Sequence, residues 1–351
     1  MKQQIRNWGA DKEGKELILC TLDNEKGITV QITNYGGIIT SVKTPDRKGG
    51  IGEIVLGFDE ASSYLDEKYI ANCPYFGCIT GRYAGRIAGG RFSIDGESFQ
   101  LPVNNGGNTL HGGVEGFDKK TWDYRSISGS GFTGIELAYR SSHLEEGFPG
   151  NLDVKVTYIL NKSGELSIKY LAATDRPTVL NLTNHTYFNL TGGPGNALCH
   201  HLKIFSKRLI ESRELIPTGH IVDVAGTAFD FSEPKPIRRD MGGLVDGFDC
   251  GYLLPGIKGT LSPAATLWEP ESGRKVEIFT DQPDVHIYTG YYIPELAGRN
   301  GWSYGRYAGV AIETQHLPNS PNQPEFPSTR LNPGEEFEST TVFRFGTEPA
   351  E

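Results

Sequence analysis

Glycine and proline punctuate this chain too often for long helices: 45 Gly and 20 Pro in 351 residues separate short apolar runs. Either residue costs stability inside a helix, whereas short alternating runs between turn residues suit strands. The fold class expected is therefore all-β. Residues 16–22 and 28–32 alternate as one buried face requires, and residues 23–27 join them as a hairpin. Asn34-Tyr-Gly-Gly37 breaks the alternation as a bend or bulge. Residues 54–58 read as a short strand and 59–70 as an irregular loop. Runs at 122–125, 134–139, 154–160 and 166–173 read as a meander. Further strands are expected at 202–206, 209–211, 264–269, 274–280, 285–292 and 308–313, with a turn at 217–220, and 337–345 closes the sheet. No shift of composition marks a linker, so residues 1–351 read as a single domain.

The charge balance narrows the partners. Thirty-four basic and 43 acidic residues give a net charge of -9, which disfavours a nucleic-acid partner, because phosphate binding relies on clustered Lys and Arg. No apolar run approaches the roughly 20 residues of a membrane span, and the start lacks an apolar signal core. No membrane association is expected, and the location expected is cytoplasmic. Cys20, Cys73, Cys78, Cys199 and Cys250 are odd in number and lack zinc-site spacing, so reduced thiols and no metal are expected.

Residues 181–190, Asn-Leu-Thr-Asn-His-Thr-Tyr-Phe-Asn-Leu, carry more side-chain donors and acceptors than a solvated strand needs. His185 can exchange a proton near neutrality; taken alone, the segment fits a core histidine held by amides as well as a catalytic one. Glu313 follows the apolar run Val310-Ala-Ile312, where a carboxylate is costly unless paired or functional, and this makes it a general-base candidate. His111 is presented by the Gly-rich loop 102–113, of a kind that often serves ligands. Arg82 and Arg86 can pair with surface carboxylates or offer forked donors to a ligand. One of Asp246 and Asp249 is expected to face inward. Tyr288, Tyr291 and Tyr292 suit core packing or stacking on a sugar, and His200 and His201 read as solvated.

Six stretches in order, Gly81-Arg-Tyr-Ala-Gly-Arg-Ile87, Asn108-Thr-Leu-His-Gly-Gly113, Asn184-His-Thr-Tyr-Phe-Asn-Leu190, Gly226-Thr-Ala-Phe-Asp-Phe231, Phe248-Asp-Cys250 and Glu313-Thr-Gln-His316, resemble the aldose 1-epimerase (galactose mutarotase) family over nearly the whole chain. The resemblance implies a large antiparallel β-sandwich with a sugar cleft on a concave face. It also implies interconversion of the α and β anomers of a hexose, glucose or galactose. Glu313 matches the family's general base and His185 the acid that protonates the ring oxygen. Arg86, His111, Tyr187, Asp249 and His286 match or adjoin its substrate-binding positions, while Arg82 is structural. No metal or redox cofactor is implied, and the partner is a small sugar. Gly85, Cys250 and His286 depart from the residues frequent at their positions (Asn, His and Gln), which leaves the preferred sugar open.

Three alternatives remain. An epimerase of a phosphorylated or modified sugar calls for basic residues near the cleft, and Arg82, Arg86 and Arg91 form the one such cluster. A non-catalytic carbohydrate-binding protein has no need of both Glu313 and His185. A metal enzyme using His111, His185 and His316 lacks the usual ligand spacing.

Overall fold

A computed structural model describes residues 1–257 and 259–349. Three antiparallel sheets dominate it. The first runs in chain order through Lys2–Ala10, Glu16–Asp23, Thr29–Thr33, Ile39–Pro45 and Ile51–Glu53. The second, nine-stranded, starts with the meander Asp123–Gly129, Phe132–Ser141, Leu152–Asn161 and Glu165–Thr174. It continues through Glu336–Thr347, Arg274–Thr280, Ser262–Trp268, His201–Ile204 and Lys235–Pro236. The chain's last long strand thus lies mid-sheet, paired on both sides.

The third sheet lines a cleft. Its order is Tyr187–Phe188, Val310–Gln315, Asp284–Tyr288, Asp249–Leu253, Arg208–Arg213 and Ile216–Asp223. Because strand side chains alternate in direction, each central strand serves two masters. Val310, Ile312, Val285, Ile287, Cys250 and Tyr252 join the main core with Val276, Ile278 and Phe343 of the nine-stranded sheet. Phe188 meets Phe343 edge-on at 5.3 Å across the two layers. Burying each such side chain contributes about 1.5–3 kcal/mol, which fixes the register. The opposite face presents Asp249, Gly251, His286, Tyr288, Glu313 and Gln315 to a cleft.

Several local expectations are corrected. Residues 59–70 are not an irregular loop but contribute two short helices, Ala61–Tyr64 and Glu67–Asn72, the second capped by the Asp66 carboxylate on the Lys68 and Tyr69 amides. Tyr64 and Tyr69 bury their rings against Phe58, so tertiary packing stabilises helices too short to form alone. The strand expected at 54–58 falls earlier, at Ile51–Glu53. Ile54, Val55, Leu56 and Phe58 are all buried, and covering on both sides replaces the alternation of a ladder. Residues 217–220 lie within the strand Ile216–Asp223, and the turn comes at Glu214 and Leu215, both at positive φ. His200 is not solvated: it is fully buried, and its Nε2 accepts the Leu190 N–H at 2.7 Å. Burial lowers its pKa to about 4.

Candidate active site

Backbone pairing sets the geometry. Glu313 lies directly opposite His286 across two neighbouring strands, and His286 opposite Gly251. On the far side, Tyr187 pairs with Ala311, and the chain just before it brings His185 up to the same face. His185 is held by its own backbone: its N–H donates to the Cys78 carbonyl at 2.8 Å, and its carbonyl accepts the Gly77 N–H at 3.0 Å. The neighbouring Asn184 also donates to the Gly77 carbonyl. The amides around the histidine therefore brace backbone and leave the imidazole free for chemistry.

His185 Nε2 lies 3.4 Å from Glu313 Oε1, with both side chains almost fully buried. His185 Nδ1, Glu313 Oε2 and His286 Nδ1 are buried with no hydrogen-bond partner among the described residues. Unsatisfied buried polar atoms in a cleft mark places where ligand hydroxyls or water complete the bonding.

His111 comes from the loop after the strand Thr109–Leu110, which pairs with Arg86–Ile87. It sits at φ 50. The Gly85 N–H donates to His111 Nδ1 at 3.2 Å, so the neutral ring carries its proton on Nε2. Burial, then the charges of His185, Arg86, His286 and Lys119, hold its pKa well below the usual histidine range. His111 is thus a neutral donor. His111, His185 and Glu313 each bring one ligand-capable atom within 4.8 Å of the others. A donor Nε2–H, however, suits a sugar oxygen better than a metal ion.

Asp249 and His286 form a pair, with His286 Nε2 2.7 Å from Asp249 Oδ1. Burial alone would lower the His286 pKa, but the hydrogen bond and charge of Asp249, with Glu313 and Asp284 beyond, raise it to about 9. Burial would likewise raise Asp249, and His286, Arg86 and His185 hold it below the usual carboxylate value. Near neutrality the two are an ion pair. Arg86 is half-buried and donates from Nε to Asn105 Oδ1 at 3.1 Å.

Arg86, His111, His185, Tyr187, Asp249, His286 and Glu313 all line one cleft of about 740 Å³. Of the three departures, Gly85 and His286 line it too, but Cys250 belongs to the core on the other face of its strand. Asp249 is the inward carboxylate, while Asp246 accepts from the hydroxyl of the exposed Tyr292. Arg82 is neither a surface-pair residue nor a cleft residue. It is buried, and its guanidinium donates to the carbonyls of Ser141, Ser142, Pro149 and Gly150.

Sequence reasoning missed Gln315, Asp284, Lys119 and Tyr75. Gln315 and Asp284 follow from period-two spacing with Glu313 and His286 once the strands are known. Lys119 lines the cleft but is paired with Asp118 at 2.8 Å. Tyr75 reaches the site through a positive φ of 61 that no local residue pattern signals.

A family model described as aldose 1-epimerase matches residues 19–344. The chain is 42% identical over 322 residues to the galactose mutarotase of Bos taurus, covering 91% of each chain. It is 34% identical over 341 residues to the aldose 1-epimerase of Escherichia coli (strain K12), covering 95% of this chain and 96% of that one. The crystal structure of galactose 1-epimerase from Lactobacillus acidophilus NCFM superposes with a TM-score of 0.86 at 28% identity, covering 99% of this chain and 100% of that one. This chain is a member of the aldose 1-epimerase family.

Proposed function

We propose that the protein interconverts the α and β anomers of a free hexose, with Glu313 as general base and His185 as general acid. The observation that carries this reading is the 3.4 Å approach of His185 Nε2 to Glu313 Oε1 in a buried cleft. In a cyclic sugar the anomeric hydroxyl and the ring oxygen are bonded to the same carbon, so one base and one acid side by side reach both. Glu313 removes the hydroxyl proton while His185 delivers one to the ring oxygen, and the C1–O bond of the ring breaks to give the aldehyde. Rotation about the C1–C2 bond presents the other face. Reclosure with the proton roles reversed yields the other anomer. These steps transfer protons and break and re-form one C–O bond with no change of oxidation state, so the chemistry itself calls for neither metal nor redox cofactor.

The neutral His111 donor steadies charge at the ring oxygen. Arg86 and the Asp249–His286 pair orient the other hydroxyls, and Tyr187 walls the acid, its ring centred 4.9 Å from that of His185. A free sugar fits better than a phosphorylated one. Of the basic cluster that would favour phosphate, Arg82 is buried on carbonyls and the exposed Arg91 donates to Gln100, which leaves Arg86 in the cleft. The mammalian relatives' name makes galactose the first substrate to try. The acidic net charge supports an enzyme without a nucleic-acid partner, and the location proposed for it is the cytoplasm.

Glu313→Gln and His185→Asn should each lower kcat roughly 10²-fold or more with the protein still folded, as loss of a general acid or base does. Saturation-transfer NMR between the anomers of galactose measures this, and near-wild-type exchange in either variant would refute the corresponding role.

A further inference from the structure

The segment that supports the backbone of His185 also places a ring over its side chain. Glu67–Asn72 ends in a tight turn in which Tyr75 and Gly77 take φ values of 61 and 67. A non-glycine residue at positive φ is strained and persists where the surroundings over-determine it. Here they do. Phe76 is fully buried, meets Tyr187 edge-on at 5.4 Å, and its N–H donates to the Tyr69 hydroxyl at 3.1 Å. A Cβ at Gly77 would lie 2.2 Å from the Ile39 carbonyl oxygen, whose own residue donates its N–H to the Gly77 carbonyl. Gly77 and Cys78 then exchange backbone hydrogen bonds with His185 on both of its sides.

The turn folds the Tyr75 ring back into the cleft. Its centroid lies 4.6 Å from that of His111, edge-on, and 5.8 Å from that of His185. His111 and His185 are themselves 5.2 Å apart, edge to face, and Tyr187 closes the other side. The imidazole of His185 thus stands among three rings, one of which, Tyr75, is only half-buried and belongs to the cleft wall.

We infer that Tyr75 is a positioning residue for His185: its ring, held in register by the backbone bonds between residues 77–78 and 185, fixes the imidazole against His111 and Tyr187 and keeps water from its face. The ring does this, not the hydroxyl. Without it, His185 can rotate away from Glu313, and proton delivery slows more than sugar binding weakens.

This inference rests on His185 being the acid, and a double-mutant cycle separates the two claims. Tyr75→Ala should lower kcat about tenfold with KM changed less than about threefold, while Tyr75→Phe stays within about twofold of wild type. In a His185→Asn background, Tyr75→Ala should cost almost nothing further. If Tyr75→Ala proves unfolded by its melting transition, Tyr75→Leu takes its place in the cycle. A wild-type kcat in the Ala or Leu variant, an equal loss in the Phe variant, or full additivity with His185→Asn would overturn the positioning role. Near-wild-type turnover in His185→Asn alone would instead sink the acid assignment.

Discussion

Asp249 and His286 hold each other 2.7 Å apart inside the cleft, so neither can be removed without leaving a partly buried charge unpaired. Hydrogen bonds to charged groups contribute about 1.5–3 kcal/mol, and stranding one partner adds its desolvation cost. Asp249→Ala should therefore raise KM for galactose by roughly 10- to 100-fold while lowering kcat much less, because neither residue touches the proton-transfer step in the proposed mechanism. An unchanged KM would remove the pair from substrate binding. At this scale the sequence was informative where chemistry is unusual: a carboxylate after Val310-Ala-Ile312 and a histidine among amides both stand out without any structure. It was silent on Cys250, whose neighbour Asp249 faces the cleft while its own side chain packs in the core; one step along a strand reverses direction, and only the register says which residue points where.

The turn at residues 75–78 and the strand Val310–Gln315 divide the work of the elements. The strand is legible from the apolar run Val310-Ala-Ile312 that ends in a carboxylate, and the alternating direction of its side chains, not an alternation of polarity, separates core from cleft. The turn is not, since its shape depends on Tyr75 at positive φ and on a carbonyl from residue 39, distant in sequence. Gly77→Ala should lower stability by about 2–4 kcal/mol, since the new Cβ meets the Ile39 oxygen in a backbone conformation unsuited to alanine. It should also lower kcat, because the displaced turn carries the bonds to His185. Urea denaturation and steady-state rates check both, and a stable, fully active variant would show that the turn does not position the acid.

Across the whole molecule, the two packed sheets leave a row of ionisable groups beneath the cleft. Asp284 is fully buried, and burial, eased in part by the charge of His286 and by Gln315 and the Tyr252 backbone, raises its pKa to about 8. The folded state therefore keeps a proton that the unfolded chain releases near pH 4, so stability falls as pH rises through about 8. His286, raised to about 9, acts in the same direction: its contribution is complete below about 6.5 and is lost as pH passes 9. Asp284→Asn keeps the shape and removes the titration, so its stability should fall less than the wild type's between pH of about 6 and 8, by about 2 kcal/mol; parallel curves would rule out Asp284 as the source. The overall β architecture was readable from turn spacing, and the family resemblance supplied the cleft, but the central place of Glu336–Thr347 and the burial of Asp284 depend on pairings between strands far apart in the chain. The most direct test of the central claim is polarimetry on freshly dissolved α-D-galactose, with wild-type protein against the spontaneous rate and against Glu313→Gln. Acceleration by the wild type that disappears in the folded variant is the predicted result. A wild-type trace that follows the spontaneous rate for both galactose and glucose would contradict a hexose mutarotase.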